Sequence, residues 1–197
     1  IYSVAFRAII IILIIDRVFY TIFFPSISRS YKESIEKLKK RVIWALKIVT
    51  TISIFIAIIF LIVGEYLFPV FFGPQYTDSI LVFQILLIYF VLTIINSVFT
   101  FTLIGINKEQ LYTKSISIGA VAFAAIFFIP MVLPATIIVT VALAVNEATS
   151  MLMMIIYLHK SISINLFFRV LLPLSTGAVF ALCICILQSY YFLPLSI

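Results

Sequence analysis

Apolar residues run almost without interruption through six stretches of this chain, and polar residues gather between them. The stretches cover about residues 3–26, 42–64, 79–105, 113–131, 135–158 and 168–192. Each is close to the roughly 20 residues that an α-helix needs to cross a hydrocarbon core about 30 Å thick. A bilayer admits only helices or closed barrels, and these stretches lack the alternation of barrel strands. The pattern therefore predicts an all-α transmembrane protein of about six membrane-spanning helices.

Positive charges are concentrated in every second polar segment. Lys and Arg occur in the segments 27–41, 106–114 and 159–169, whereas the segments 65–78 and 132–134 contain neither. Cytoplasmic loops of membrane proteins carry the excess of Lys and Arg. The alternation predicts that the three basic segments are cytoplasmic loops and that both ends of the chain lie on the outer side of the membrane.

The composition excludes an ordinary soluble domain. The 197 residues are 65% hydrophobic and 10% charged, with a mean hydropathy of +1.33, whereas soluble domains are about 45–50% apolar and about 25% charged. The net charge of +6 does not predict nucleic-acid binding, because the cations lie beside apolar stretches, where they set orientation and meet anionic lipid. The chain begins with Ile1 inside an apolar segment, so we expect it to be the C-terminal piece of a longer protein.

Cysteine and histidine offer little metal chemistry. Cys183 and Cys185 point about 200° apart on a helix, and His159 is the only His. We therefore expect no metal site, no disulfide framework and no cofactor.

The first predicted span contains three charged residues, Arg7, Asp16 and Arg17. A charge at the centre of a bilayer costs roughly 2.5–3.5 kcal/mol, so it is read first as functional. On this basis Arg7 and Arg17 are expected to line a cavity. Two simpler interpretations stay open: Arg7 reaches back to the outer interface, or Asp16 and Arg17 neutralise each other or pair with Glu147.

Two further spans carry polar residues on one helical face. In the third span the spacing is i, i+3, i+4 and i+7, and the residues are Thr93, Asn96, Ser97 and Thr100. In the fifth span the residues within about 40° of one another are Thr136, Thr140 and Glu147. Such faces must meet protein or water. For the hydroxyl groups we favour hydrogen bonding between helices; for Glu147 we favour a functional role.

Several short motifs follow one another in an order known from a transporter family. They read IYSVAFRA at 1–8, FPSISRS at 24–30, VFFGPQYTDS at 70–79 and LIGINKE at 103–109, followed by Ile129, Pro130 and the acidic Glu147. Together they resemble the C-terminal half of a polysaccharide or lipid-linked oligosaccharide flippase of the multidrug and oligosaccharide exporter superfamily. The chain departs from the family at 131–140, where glycines are usual, and the Asp16–Arg17 pair is not part of the family pattern.

The resemblance implies the C-terminal lobe of a two-lobe transporter, not an enzyme. Such a protein exports lipid-linked oligosaccharide or polysaccharide repeat units across the cytoplasmic membrane by alternating access. Its partners would be an undecaprenyl-diphosphate-linked glycan, the lipid bilayer and the N-terminal lobe of the same protein. Arg7 and Arg17 would hold the diphosphate, and Glu147 and Asp16 would serve in gating or ion coupling. The polar face of the third span (Thr93, Asn96, Ser97 and Thr100) would meet sugar hydroxyls.

Three other functions remain open. A multidrug or cation-coupled exporter of the same superfamily would have a more acidic and aromatic cavity, and the two arginines argue against it. A membrane-embedded glycan polymerase or ligase would place Arg and His in large outer loops, whereas the outer loops predicted here are short and contain neither. A non-transporting assembly subunit would not need Arg7, Arg17 and Glu147 within the membrane.

Overall fold

The computed structural model is all-helical. It describes residues 2–76, 79–129, 134–166 and 173–177; 91% of the structure is helix, and the described residues include no strand. The helices are α1 (Tyr2–Ile12), α2 (Ile14–Glu33), α3 (Ile35–Phe72), α4 (Ser79–Gly105), α5 (Glu109–Ile126) and α6 (Ala135–Ile162), with a 3-10 turn at Pro74–Tyr76. The prediction of an all-α chain is confirmed.

Four helical stretches among the described residues are long and apolar enough to cross a membrane, which indicates a membrane protein. They are Tyr2–Glu33, Ile35–Gly64, Ser79–Gly105 and Ala135–Ile162. These stretches coincide with the first, second, third and fifth apolar stretches of the sequence. In the third case the bounds are the same.

The predicted count of six spans is not confirmed. The fourth stretch overlaps α5, which begins four residues earlier, at Glu109. The first half of α5 includes the polar residues Glu109, Gln110 and Lys114, and α5 is not among the four candidates. The sixth, at about 168–192, lies outside the described residues except for a short helical segment at 173–177.

The basic segment 27–41 is helical where a loop was predicted. Helix α2 continues to Glu33, α3 begins at Ile35, and only Ser34 between them is extended, with φ −170° and ψ 151°. Lys, Arg and Glu are good helix formers. A stretch of 32 residues is about 48 Å long, so it continues beyond a hydrocarbon core of about 30 Å as a helix. Which membrane face this segment lies on stays a prediction.

The other two predicted basic loops also shorten. Helix α5 begins at Glu109, which leaves 106–108 as the turn after α4, and α6 continues to Ile162 before an irregular segment at 163–166. Most of the described residues in the three predicted loops are therefore helical. Polar residues such as Lys and Glu are stable in water and are also good helix formers.

Ser34 stabilises the start of α3. Its side-chain oxygen accepts a hydrogen bond from the backbone N–H of Lys37 at 3.1 Å, which satisfies one of the free donors at a helix N-terminus. We expect Ser34→Ala to lower the free energy of unfolding by about 1 kcal/mol, measured by titrating the chain in mixed micelles with a denaturing detergent. Ser34→Asn, which retains a capping acceptor, is the control and should lose little.

Helix α4 lies at the centre of the bundle and packs against α1, α2, α3 and α6. Its largest fully buried side chains are Phe83, Leu86, Leu87, Phe90, Ile95, Phe99 and Leu103. A helix that is apolar on nearly every side is typical of a protein core or of a membrane span. Helix α5 packs mainly on α6, so α6 lies between α4 and α5 and positions the residues described next.

Candidate functional site

A polar cavity of about 290 Å³ lies among α2, α4, α5 and α6. Its polar lining includes Asp16 from α2, Asn96 from α4, Tyr112 from α5, and Asn146 and Glu147 from α6. Asp16 and Glu147 lie near the middle of the candidate spans Tyr2–Glu33 and Ala135–Ile162, with Asp16 in the first turn of α2. Apolar helical residues therefore lie between the cavity and each face of the membrane.

The polar face predicted on α4 lines this cavity along its whole length. Thr93, Asn96, Ser97 and Thr100 all contribute to the lining. The Thr93 hydroxyl donates to the carbonyl of Tyr89 at 2.9 Å, and the Ser97 hydroxyl donates to the carbonyl of Thr93 at 3.2 Å. The Thr100 hydroxyl reaches another helix, at 3.6 Å from the sulfur of Met154 in α6, and the Ser97 hydroxyl also lies beside the Asp16 carboxylate of α2. Hydrogen bonding between helices, the simpler interpretation of this face, thus applies to Thr100 and Ser97 and not to Thr93.

Asn96 joins α4 to α6 through Glu147. The amide Nδ2 of Asn96 donates to the Glu147 side-chain Oε2 at 2.6 Å and to the Glu147 backbone carbonyl at 2.9 Å. The amide group of Asn96 therefore binds both the side-chain carboxylate and the backbone carbonyl of Glu147. This limits the rotation of the Glu147 side chain and keeps it at the cavity.

Two acceptor atoms of the lining have no partner. Asp16 Oδ1 and Asn96 Oδ1 are buried, and neither has a hydrogen-bond partner among the described residues. Nearly all buried polar atoms in proteins are paired, so an unpaired one needs a reason. Acceptor oxygens that have no hydrogen-bond donor beside them can bind a hydroxyl group, a proton or a cation.

The two carboxylates act on each other across the site. Asp16 lies beside the Ser97 hydroxyl, and the Asp16 and Glu147 carboxylates line the same cavity, where their charges repel each other when both are ionised. Two like charges in a medium of low polarity repel more strongly than in water. A proton or a cation that enters the cavity would relieve this repulsion.

Arg7 and Arg17, the residues expected to line a cavity, do not line this one. Both side chains are exposed, and the lining contains no Lys or Arg as far as the described residues define it. Consecutive helical residues point about 100° apart, so the turn of α2 that directs Asp16 to the cavity directs Arg17 away. Neither arginine forms an ion pair with Asp16 or Glu147 in the described part of the chain. Their roles in substrate binding stay predictions.

The face predicted on the fifth span contributes only Glu147 to the cavity. Thr140 is buried, and its hydroxyl donates to the backbone carbonyl of Thr136 at 2.6 Å within α6. The Thr140 hydroxyl is therefore satisfied inside its own helix. Neither threonine lines the cavity.

Sequence reasoning missed Asn146 and Ser150, which line the cavity from α6. An amide within an apolar span is expensive for the same reason as a charge, so Asn146 could have been recognised beside Glu147. Ser150 follows Asn146 by four residues, on the same face of the helix. Its hydroxyl donates to the backbone carbonyl of Ser115 in α5 at 3.4 Å.

No cluster of three or more His, Cys, Asp or Glu side chains that could hold a metal ion occurs among the described residues. No protein-family model matches the chain, and no curated protein or solved structure matches it either. A functional proposal therefore depends on the cavity and on the order of the sequence motifs.

Proposed function

We propose that the chain belongs to a transporter that moves lipid-linked oligosaccharide or polysaccharide repeat units across the cytoplasmic membrane by alternating access. The observation that carries the proposal is the cavity where Asp16, Asn96 and Glu147 meet between apolar helices, with two buried oxygens unpaired. Polar groups at this depth are costly in lipid and mark the paths of substrates and ions. The order of the motifs supports a glycan as the cargo.

The lining suits the hydroxyl groups of a sugar. Asp16 Oδ1 and Asn96 Oδ1 are free to accept, and each hydrogen bond formed is worth about 1 kcal/mol net. A few such bonds orient a sugar without holding it so tightly that it is not released. The volume of about 290 Å³ corresponds to roughly ten water molecules at about 30 Å³ each, so sugar and water can exchange there.

Glu147 and Asp16 supply the coupling in this proposal. When a proton or cation neutralises one carboxylate, repulsion across the cavity falls and the conformation in which α2, α4 and α6 lie close is favoured. When both carboxylates are ionised, a conformation with water in the cavity is favoured instead. A ligand shifts such an equilibrium only through its different affinity for the two conformations, and this charge change provides that difference.

A cation-coupled exporter of cationic molecules is the second candidate. It is favoured by the two carboxylates and by the aromatic rings of Phe101 and Tyr112 in the lining, because aromatic faces and carboxylates both attract cations. The two candidates differ in their cargo. Cells that lack the protein should accumulate lipid-linked glycan on the cytoplasmic side under the first, and should become sensitive to cationic dyes under the second.

Substitution of Arg7 also distinguishes the glycan cargo from a cationic cargo. In cells whose surface glycan depends on this protein, we expect Arg7→Ala to reduce glycan export at unchanged protein abundance. Arg7→Lys should restore part of it, since Lys binds phosphate as a point charge without the two-pronged geometry of Arg.

Lys160→Ala is the control, because Lys160 is exposed at the end of α6 and should leave export unchanged. Normal export by Arg7→Ala would remove the diphosphate role of Arg7, and loss by Lys160→Ala to the same degree would show a general effect of charge.

A further inference from the structure

A concave surface lies between α2 and α3 on either side of Ser34, and we refer to it as the hairpin groove. Its volume is about 560 Å³. It is lined by four cations, Arg29, Lys37, Lys40 and Arg41, and by one carboxylate, Glu33. It is separate from the cavity around Glu147, with which it shares no lining residue.

The groove follows from the helical periodicity on both sides of Ser34. The lining positions in α2 are 22, 25, 26, 29, 30 and 33, and those in α3 are 37, 40, 41 and 44. Each set recurs at three or four residues, so each forms a single face of its helix. One extended residue, Ser34, turns the chain between the helices. The two faces therefore meet across the groove.

Most of the positive charge in the groove is unpaired. Lys37 Nζ forms an ion pair with Glu33 Oε2 at 2.8 Å. Arg29, Lys40 and Arg41 form no ion pair in the part of the chain that the structure describes. Three cations gathered in a concavity repel one another, and an anion with several acceptor oxygens relieves that repulsion. Two of them are arginines, whose paired N–H groups fit the oxygens of a phosphate.

The other end of the groove is apolar. The side chains of Ile22 and Trp44 are 72% and 58% exposed. Along its helix, Ile22 is roughly 10 Å from Arg29, and Trp44 is roughly 5 Å from Arg41. Tryptophan is enriched at the level of the lipid headgroups. The groove thus changes from charged near Ser34 to apolar at the end away from Ser34. A soluble anion would use only the charged end.

We propose that the hairpin groove binds an anionic membrane lipid, with its phosphate against Arg29, Lys40 and Arg41 and its acyl chain along Ile22 and Trp44. The lipid comes from the leaflet at which α2 and α3 meet. This inference does not depend on the proposed transport function. It assigns the basic segment a bound ligand in addition to its role in orienting the chain.

Trp44 makes the proposal directly measurable, because it is the only Trp in the chain. We would titrate the chain, in micelles of a neutral detergent, with phosphatidylglycerol that carries bromine atoms on its acyl chains, and follow quenching of Trp44 fluorescence. Brominated phosphatidylcholine is the neutral comparison. We expect saturable quenching by the anionic lipid at roughly tenfold or more lower concentration than by the neutral one, since each nearby cation contributes about fivefold in affinity.

Two double variants separate a built site from diffuse attraction. Arg29→Gln with Arg41→Gln should weaken binding of the anionic lipid roughly 25-fold, at about fivefold per cation. Lys32→Gln with Lys39→Gln removes the same charge from the same segment but from residues outside the groove, and should change it little. Arg29→Lys with Arg41→Lys keeps the charge and should keep most of the affinity, which controls for loss of structure.

Equal weakening by the Arg29/Arg41 and Lys32/Lys39 double Gln variants would overturn the groove as a site, as would equal quenching by the two lipids. Glycerol phosphate, which has the same phosphate but no acyl chain, distinguishes the source of the ligand. If it displaces the brominated lipid at concentrations similar to those of the lipid itself, the groove binds a free phosphate, and the proposal that it binds a membrane lipid is wrong. We expect it not to compete in that range.

Discussion

Replacing Glu147 with Gln is expected to reduce transport by roughly tenfold or more while the helices stay packed. Gln keeps the shape of the side chain and an oxygen to which Asn96 Nδ2 can donate, as it does now at 2.6 Å. It removes the negative charge and the ability to gain and lose a proton. Coupling free energies between sites are commonly about 1–3 kcal/mol, or about 5- to 150-fold, which sets the expected size. Export of glycan by cells, corrected for protein abundance, measures the effect.

Glu109→Gln is the matched control, because Glu109 is an exposed carboxylate at the start of α5 and lies outside the cavity. It should leave export unchanged. Normal export by Glu147→Gln would exclude a coupling role for this charge. A fall in abundance that accounts for the lost export would instead make Glu147 a structural residue that holds α6 to α4.

Asn96→Ala tests the same contact from the other side. It removes the donor to Glu147 and leaves a partly buried carboxylate without that partner, which costs about 1–3 kcal/mol. If the Asn96–Glu147 contact matters mainly for packing, Asn96→Ala should lower stability more than Glu147→Gln does. If it matters mainly for coupling, Glu147→Gln should lower export more.

Gly119→Val is expected to lower the free energy of unfolding by about 1–3 kcal/mol, the usual cost of overpacking a well-packed interface. A Cβ at Gly119 would overlap the Ser150 hydroxyl, and it would lie 2.8 Å from the backbone carbonyl of Asn146. A hydroxyl can rotate away, but the backbone carbonyl of a packed helix cannot. Helices α5 and α6 must therefore separate, as expected where a small residue permits close approach. Unfolding in mixed micelles measures the change.

Ala124→Val is the control for this substitution. Ala124 is exposed on the same helix, so the larger side chain has room, and the change should stay within about 0.5 kcal/mol. Similar losses in both variants would mean that α5 does not tolerate Val in general. In that case the close approach at Gly119 would not be what holds α5 to α6.

The helical class and the four candidate spans follow from the sequence alone. A bilayer leaves no backbone group unpaired, so an apolar stretch of sufficient length has to be a helix. The third stretch, 79–105, has the same bounds as α4 because polar residues and a turn flank it closely on both sides. The residues Thr93, Asn96, Ser97 and Thr100 share a face for an equally local reason, the 3.6-residue period of the helix.

The helical nature of 27–41 was not predicted from the charge pattern of the sequence. A basic segment outside the bilayer has the same composition whether it is a loop or a helix, and only the single extended residue, Ser34, separates the two helices. Recognising that Lys, Arg and Glu favour helix would have predicted it, but the hairpin groove also required knowing how α2 and α3 pack. Charge counting alone could not place its cations on facing helices.

The sequence by itself thus determined the four apolar helical stretches and the polar residues that share a helical face, because both depend on neighbours along the chain. The tertiary structure alone decided which of those faces meet. Asn96 and Glu147 are 51 residues apart in sequence, and only the packing of α6 on α4 joins them. Asp16 and Arg17 are adjacent, and only the packing of α2 decided that the carboxylate, not the guanidinium, faces the cavity. Contacts between helices depend on how whole faces fit together, and no local pattern contains that information.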